Sequence, residues 1–242
     1  NQTFAQESTE NEDDLAVLTR ERQKAQVHTL NLSQAWSSFE IGDSRKALEM
    51  FNQVCLSRKA NDSEKVQALF GLGTVFQFGV PKPDPQKSAR YFQRIIDRYP
   101  ENSVAAWARL KLGILAGTDT SAEREEARNH YRELLENYPK SLAIHEAVLR
   151  LAGTYFYEME PEVAAKGTET LEGHLARYPN NPLRAVMLFR LFYWYSEVDR
   201  DYQKSLEKGL RLGEIRLSDP DRWGQQYWGV AQILRLRMDR LE

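Results

Sequence analysis

The chain has 242 residues, with 33 Lys and Arg against 35 Asp and Glu, and a formal net charge of −2. That balance gives no basic face of the kind nucleic acid requires. A single cysteine, Cys55, excludes an intramolecular disulfide framework and a cysteine-rich zinc site. At 41% apolar the chain is too hydrophobic for disorder, yet slightly poor in apolar residues for a globule of this length.

The first residues, Asn1-Gln2-Thr3-Phe4-Ala5-Gln6, include no initiator Met. Thr3 and Ala5 set small residues around Phe4 as near a signal-peptidase site, so a trimmed export signal stands beside a plain expression boundary. Glu7, Glu10, Glu12, Asp13 and Asp14 crowd the next stretch, and 1–13 reads as an acidic, solvated, mobile tail. Residues 14–32 read as a helix with a short apolar stripe of Leu15, Leu18 and Ala25, and a helical array is expected over 14–220. The longest uncharged run, Val66 to Pro81, has 16 residues. A spanning helix needs about 20, so no transmembrane segment is expected. Inside that run, Gly71-Leu72-Gly73 has too few glycines for a phosphate loop and falls in a helix, where it suits close helix packing. At the far end, Trp223, Tyr227, Val230, Ile233, Leu234 and Met238 give an apolar stripe. Residues 221–242 therefore read as a capping helix, because an end repeat would otherwise expose its apolar face.

The middle of the chain repeats itself. Tyr99-Pro100, Tyr138-Pro139 and Tyr178-Pro179 recur at spacings of 39 and 40. At fixed offsets after each Pro come Lys111-Leu112-Gly113, Arg150-Leu151-Ala152 and Arg190-Leu191-Phe192. Each unit reads as two helices. Val148, Leu151, Ala152 and Tyr155 keep the spacing of a buried helical stripe, as do Leu188, Leu191, Phe192 and Tyr195. The second helix of a unit pairs a small residue with a ring four positions on: Ala47 with Phe51, Ser88 with Phe92, Ala127 with Tyr131. A small side chain lets two helices approach while the ring fills the space beside it. Tyr-Pro then ends the helix, since Pro lacks an N–H and disfavours a helical residue before it. Asn102-Ser103 and Lys140-Ser141 offer caps for the helices that follow.

These residues resemble the tetratricopeptide repeat: a Leu-Gly or Leu-Ala pair, an aromatic, a small residue, a second aromatic and a closing Pro. Ala35-Trp36, Phe39, Gly42-Asp43, Ala47 and Phe51 match it at the ordinary spacing. The later units are stretched to about forty residues, similar to the repeats of bacterial envelope proteins such as the outer-membrane-protein assembly lipoproteins and the Tol-system coordinators. In the last two units Gly167 and Gly209 replace the small-plus-aromatic residues. The resemblance implies an all-α, right-handed superhelical solenoid of about five repeats with capping helices at its ends. It implies a non-enzymatic scaffold, periplasmic or outer-membrane-associated, that binds another protein or an extended peptide in its concave groove.

Carried over by offset, the groove positions are Trp107, Leu110, Lys111 and Ile114, then Glu146, Leu149, Arg150, Phe156 and Tyr157, then Val186, Phe189, Arg190, Tyr193 and Glu197. Rings among guanidinium groups suit an extended peptide, the rings holding apolar side chains and Arg pairing with carboxylates. Trp107, Lys111, Arg150, Tyr157, Phe189, Arg190 and Tyr193 are the candidate partner-binding residues. No catalytic, cofactor or metal constellation is expected. His28, His130, His145 and His174 fall in different helices, with none at ligand spacing on one helix. Cys55 reads as a small hydrophobe. Two other roles remain open: a helical accessory domain of a larger enzyme, and a cytosolic co-chaperone adaptor.

Overall fold

The computed structural model describes residues 31–79, 82–158 and 160–215. The acidic tail over 1–13, most of the helix read over 14–32 and the capping helix over 221–242 lie outside the described residues. The described residues form ten helices: α1 over 31–40, α2 Ser44–Leu56, α3 Asp62–Phe78, α4 Pro85–Arg98, α5 Ser103–Ala116, α6 Ser121–Asn137, α7 Ala143–Phe156, α8 Pro161–Arg177, α9 Arg184–Glu197 and α10 Tyr202–Gly213. Among the described residues there is no strand, and the fold is all-α with successive helices packed in pairs, as in a tetratricopeptide-like solenoid. The contacts form two compact units that part between Ala116 and Gly117.

Local sequence explains where the helices begin and end. Asp43, Asn61, Asp84, Thr120 and Asp201 each accept a hydrogen bond from the backbone N–H three residues on. That satisfies one of the donors a helix start leaves unpaired. Asn61 with Glu64 and Thr120 with Glu123 form reciprocal capping boxes. Gly42 and Gly117 turn the chain with φ of 86° and 90°, a region glycine enters without strain. The three Tyr-Pro turns share one geometry: the N–H groups of Tyr99, Tyr138 and Tyr178 bond back to Ile95, Leu134 and His174, and each tyrosine carbonyl accepts from the third residue on. Asn102 and Ser141 do bond backbone N–H groups, but those of Val104 and Ala143, two residues on. They shape the turn that leads into the helix, and Asn181 repeats the bond to Leu183.

In the first unit, Ala47, Phe51, Leu72, Val75 and Trp36 belong to one core around α1, α2 and α3. The small-and-ring pairs are buried as the spacing predicts, with Ala47, Phe51, Ser88 and Phe92 fully enclosed. Burying each of those rings contributes about 2–3 kcal/mol. Gly71 and Gly73 exist for them: a Cβ on Gly71 would meet the Phe51 ring at 2.4 Å, and one on Gly73 the Phe92 ring at 2.7 Å. Cys55 packs against the same core with its thiol pushed up to about 11 by burial.

The second unit keeps the packing with different residues. Val148, Ala152, Leu171, Leu188, Leu191, Phe192 and Tyr195 form its core. Gly167 takes the small position, where a Cβ would lie 2.5 Å from the Phe156 ring, and Leu171 stands where a ring stood before. In the last pair Ser205 takes the small position and donates to the Phe192 carbonyl at 3.2 Å. Ser88 makes the same bond to Gly73 at 2.7 Å.

Candidate functional site

Glu146, Arg150, Gly153 and Tyr157 follow one another along α7 and its C-terminal end at steps of four, three and four. Forty residues on, Val186, Arg190, Tyr193 and Glu197 repeat those steps along α9. Such a stripe occupies one helix face. Its opposite side holds the buried residues Val148, Leu151 and Ala152 on α7, and Leu188, Leu191 and Phe192 on α9. One face is therefore fixed in the core and the other is left for solvent or a partner. Phe156 and Trp194 stack at 4.6 Å between centroids and tie the two helices together there.

Two cavities open on this face. The polar one, about 450 Å³, is lined by Tyr131, Glu146, Arg150, Thr154 and Arg190 among others. The apolar one, about 690 Å³, is lined by Phe156, Val186, Phe189, Tyr193, Trp194 and Val198. Gly153, Tyr157 and Arg190 line both. The fold thus gathers Arg150, Tyr157, Phe189, Arg190 and Tyr193 from two helices around adjoining spaces. Tyr157 and Tyr193 are 63% and 53% exposed, far more than packing rings tolerate.

Trp107 and Lys111 line neither cavity. They stand on α5 in the first unit, where Trp107 is 37% exposed and Lys111 places its ammonium 5.4 Å from the Phe78 ring centre. Leu110, read as a groove position, is instead core: it is 1% exposed. The offset that places its neighbours on the open side turns this residue inward, because Leu110 and Lys111 are about 100° apart on a helix.

The charges on the face are unequal. Arg150 is held by Glu146 one turn back, at 2.8 Å from Nε and 2.7 Å from Nη2. Arg190 makes no hydrogen bond or ion pair with any described residue. Beside the face a partly buried network clamps α6 to the end of α7. Arg124 grips Glu158 with two bonds of 3.1 and 3.0 Å, and Arg128 joins the same carboxylate. Arg128 also donates to the Thr154 hydroxyl at 3.0 Å and its carbonyl at 2.8 Å, with the Tyr155 ring 4.5 Å away. The two arginines hold the Glu158 carboxyl below the usual carboxylate range.

Three features of this region escape the sequence pattern. Tyr131, a packing ring by its spacing, also lines the polar cavity. Its hydroxyl is the available signal, since Phe51 and Phe92 occupy the same position without one. Gly153 opens the junction of the cavities, and no spacing rule marks it. His145 and His174, from α7 and α8, meet with Nδ1 and Nε2 2.8 Å apart beside the Tyr178 ring. Among the described residues no third ligand completes a metal site with them. No helix among the described residues is long and apolar enough to cross a membrane.

Residues 67–102 and 105–141 each match the family model of the tetratricopeptide repeat. No curated protein matches the chain. The first match runs from the second turn of α3 through α4, and the second from α5 through α6 to the Tyr138-Pro139 turn. The small and ring positions Ser88 and Phe92 lie inside the first match, and Ala127 and Tyr131 inside the second. Residues 67–141 therefore carry two adjacent tetratricopeptide repeats, a motif that supports protein–protein interaction.

Proposed function

We propose that the chain is a non-enzymatic scaffold of the bacterial cell envelope, periplasmic or outer-membrane-associated, that binds an extended segment of a partner on the face carried by α7 and α9. The observation that carries this reading is the gathering of Arg150, Tyr157, Phe189, Arg190 and Tyr193 around two adjoining cavities on one exposed face. Rings and a guanidinium there serve an extended chain by packing its side chains and pairing its carboxylates. The envelope setting is supported by the similarity of the stretched repeats to those of envelope proteins. Trp107 and Lys111 on α5 belong to the same reading as further contact residues of the first unit.

The test is cross-linking capture from an envelope fraction with the full chain as bait. Arg190→Glu combined with Tyr193→Ala should lose the captured partner while far-UV helicity stays unchanged. Retained capture would move the site to another face. Capture from cytosolic extract alone would overturn the envelope setting, and substrate turnover by the purified protein without any partner would overturn the scaffold.

A further inference from the structure

Charge on the α7–α9 face is incompletely satisfied. Glu146 neutralises Arg150, whereas Arg190, one repeat later, has no acidic partner among the described residues. The Arg190 guanidinium lies over α7, its Nη1 3.6 Å from where a Cβ on Gly153 would stand. Since Gly153 and Arg190 line both cavities, this cation sits at their junction.

The polar cavity holds a second polar group, the Tyr131 hydroxyl. Tyr131 is 3% exposed, yet its hydroxyl forms no hydrogen bond with any described residue. Burial pushes the phenol up to about 12, so it stays a neutral donor near neutral pH. On the other side of the junction the wall is apolar, formed by Phe156, Val186, Phe189, Tyr193, Trp194 and Val198.

A cation and a buried neutral donor beside an apolar wall select for a ligand that brings an anion and a large apolar group together. A basic or uncharged segment would cover Arg190 without a counter-charge, which costs desolvation with no return. Each cavity alone is of a size that takes a small organic molecule, so the pair accommodates several consecutive residues. We infer that the α7–α9 face takes an extended partner segment in which a side-chain carboxylate stands next to a large apolar residue, the carboxylate on Arg190 and the apolar side chain among Phe189, Tyr193 and Trp194. This rests on the reading of the face as the partner site and specifies the chemistry of what it binds.

The experiment pans the full chain against a phage library of random dodecapeptides fused through their C-termini, so that every displayed carboxylate is a side chain. Selected sequences should carry Asp or Glu within two residues of Phe, Trp, Leu or Ile. A selected peptide should lose at least about tenfold in affinity for Arg190→Gln, the loss of one charge-assisted contact. Gly153→Leu, which fills the junction from a helical position with room for its Cβ, should abolish binding, with circular dichroism confirming the fold. Selection without acidic enrichment, no selected binder, or unchanged affinity for Arg190→Gln would overturn the assignment. Basic or uncharged binders still blocked by Gly153→Leu would overturn the acidic–apolar chemistry while leaving the face as the partner site. Binders indifferent to both Arg190→Gln and Gly153→Leu would remove the face itself.

Discussion

Gly71 on α3 and Phe51 on α2 meet with no room between them: a Cβ on Gly71 would fall 2.4 Å from the ring's Cζ. Phe51 is fully buried and has Trp36 edge-on at 5.1 Å, so the ring cannot swing aside. In an open helix Gly→Ala stabilises by about 1 kcal/mol. Here overpacking prevails, and Gly71→Ala should destabilise by about 2 kcal/mol. Urea unfolding of the full chain measures it. A variant as stable as the parent would show that α2 and α3 separate at little cost.

The same substitution at Gly153 should act in the opposite direction. The nearest atom to a Cβ there is Arg190 Nη1 at 3.6 Å, an ordinary contact with the end of a flexible side chain. Gly153→Ala therefore keeps the helix-propensity gain and should stabilise by roughly 0.5–1 kcal/mol. A loss in the thermal midpoint would mean that α7 and α9 pack more closely at this point than the distance shows.

The contrast between these two glycines marks how much of the molecule is written in its spacing. The helix pairs, the Tyr-Pro stops and the small-and-ring positions follow from local periodicity and turn chemistry, and Ala47, Phe51, Ser88 and Phe92 sit where the periodicity puts them. Five of the candidate site residues come together for the same reason: the repeat places Arg150 on α7 and Arg190 on α9 at equivalent points forty residues apart. Leu110 is misplaced because offset carries a residue's position, while burial depends on which way the helix is rotated against its neighbours. His145 with His174, and Arg128 with Glu158, are 29 and 30 residues apart in sequence, and only the packing of separate helices unites them.

Arg128 offers a test of that non-local layer. Its side chain is 7% exposed and bonds Thr154 twice, as well as the Glu158 carboxylate. Arg128→Ala leaves the Thr154 carbonyl without this donor and leaves Glu158 with Arg124 alone among the described residues. A cost of about 3 kcal/mol is expected. Enclosed charges are poorly screened, so the cost should change little between about 0.05 and 0.5 M salt. Lys87→Ala, which breaks an exposed pair with Asp84, should cost far less, because water and salt screen surface ion pairs. Equal costs for the two variants would show that the Arg128 network is solvated.

The histidine pair sets a pH dependence whose sign follows from its geometry. With Nδ1 and Nε2 2.8 Å apart, one ring must donate and the other accept, so at least one imidazole is neutral. Burial pushes His174 down to about 4, reinforced by His145 and by Arg177, and burial also lowers His145. In the unfolded chain both titrate near the ordinary histidine value of about 6.5. Below that pH the unfolded chain takes up protons that the native pair refuses, so stability falls as the pH drops and levels off only beneath the folded value. Partial exposure tempers the effect, and the expected loss from pH 7 to pH 5 is roughly 1–2 kcal/mol. Urea midpoints measured across that interval, above the range where carboxylates titrate, isolate the histidines. His145→Gln with His174→Gln should flatten the slope, and a slope that persisted in the double variant would place the titrating groups elsewhere in the molecule.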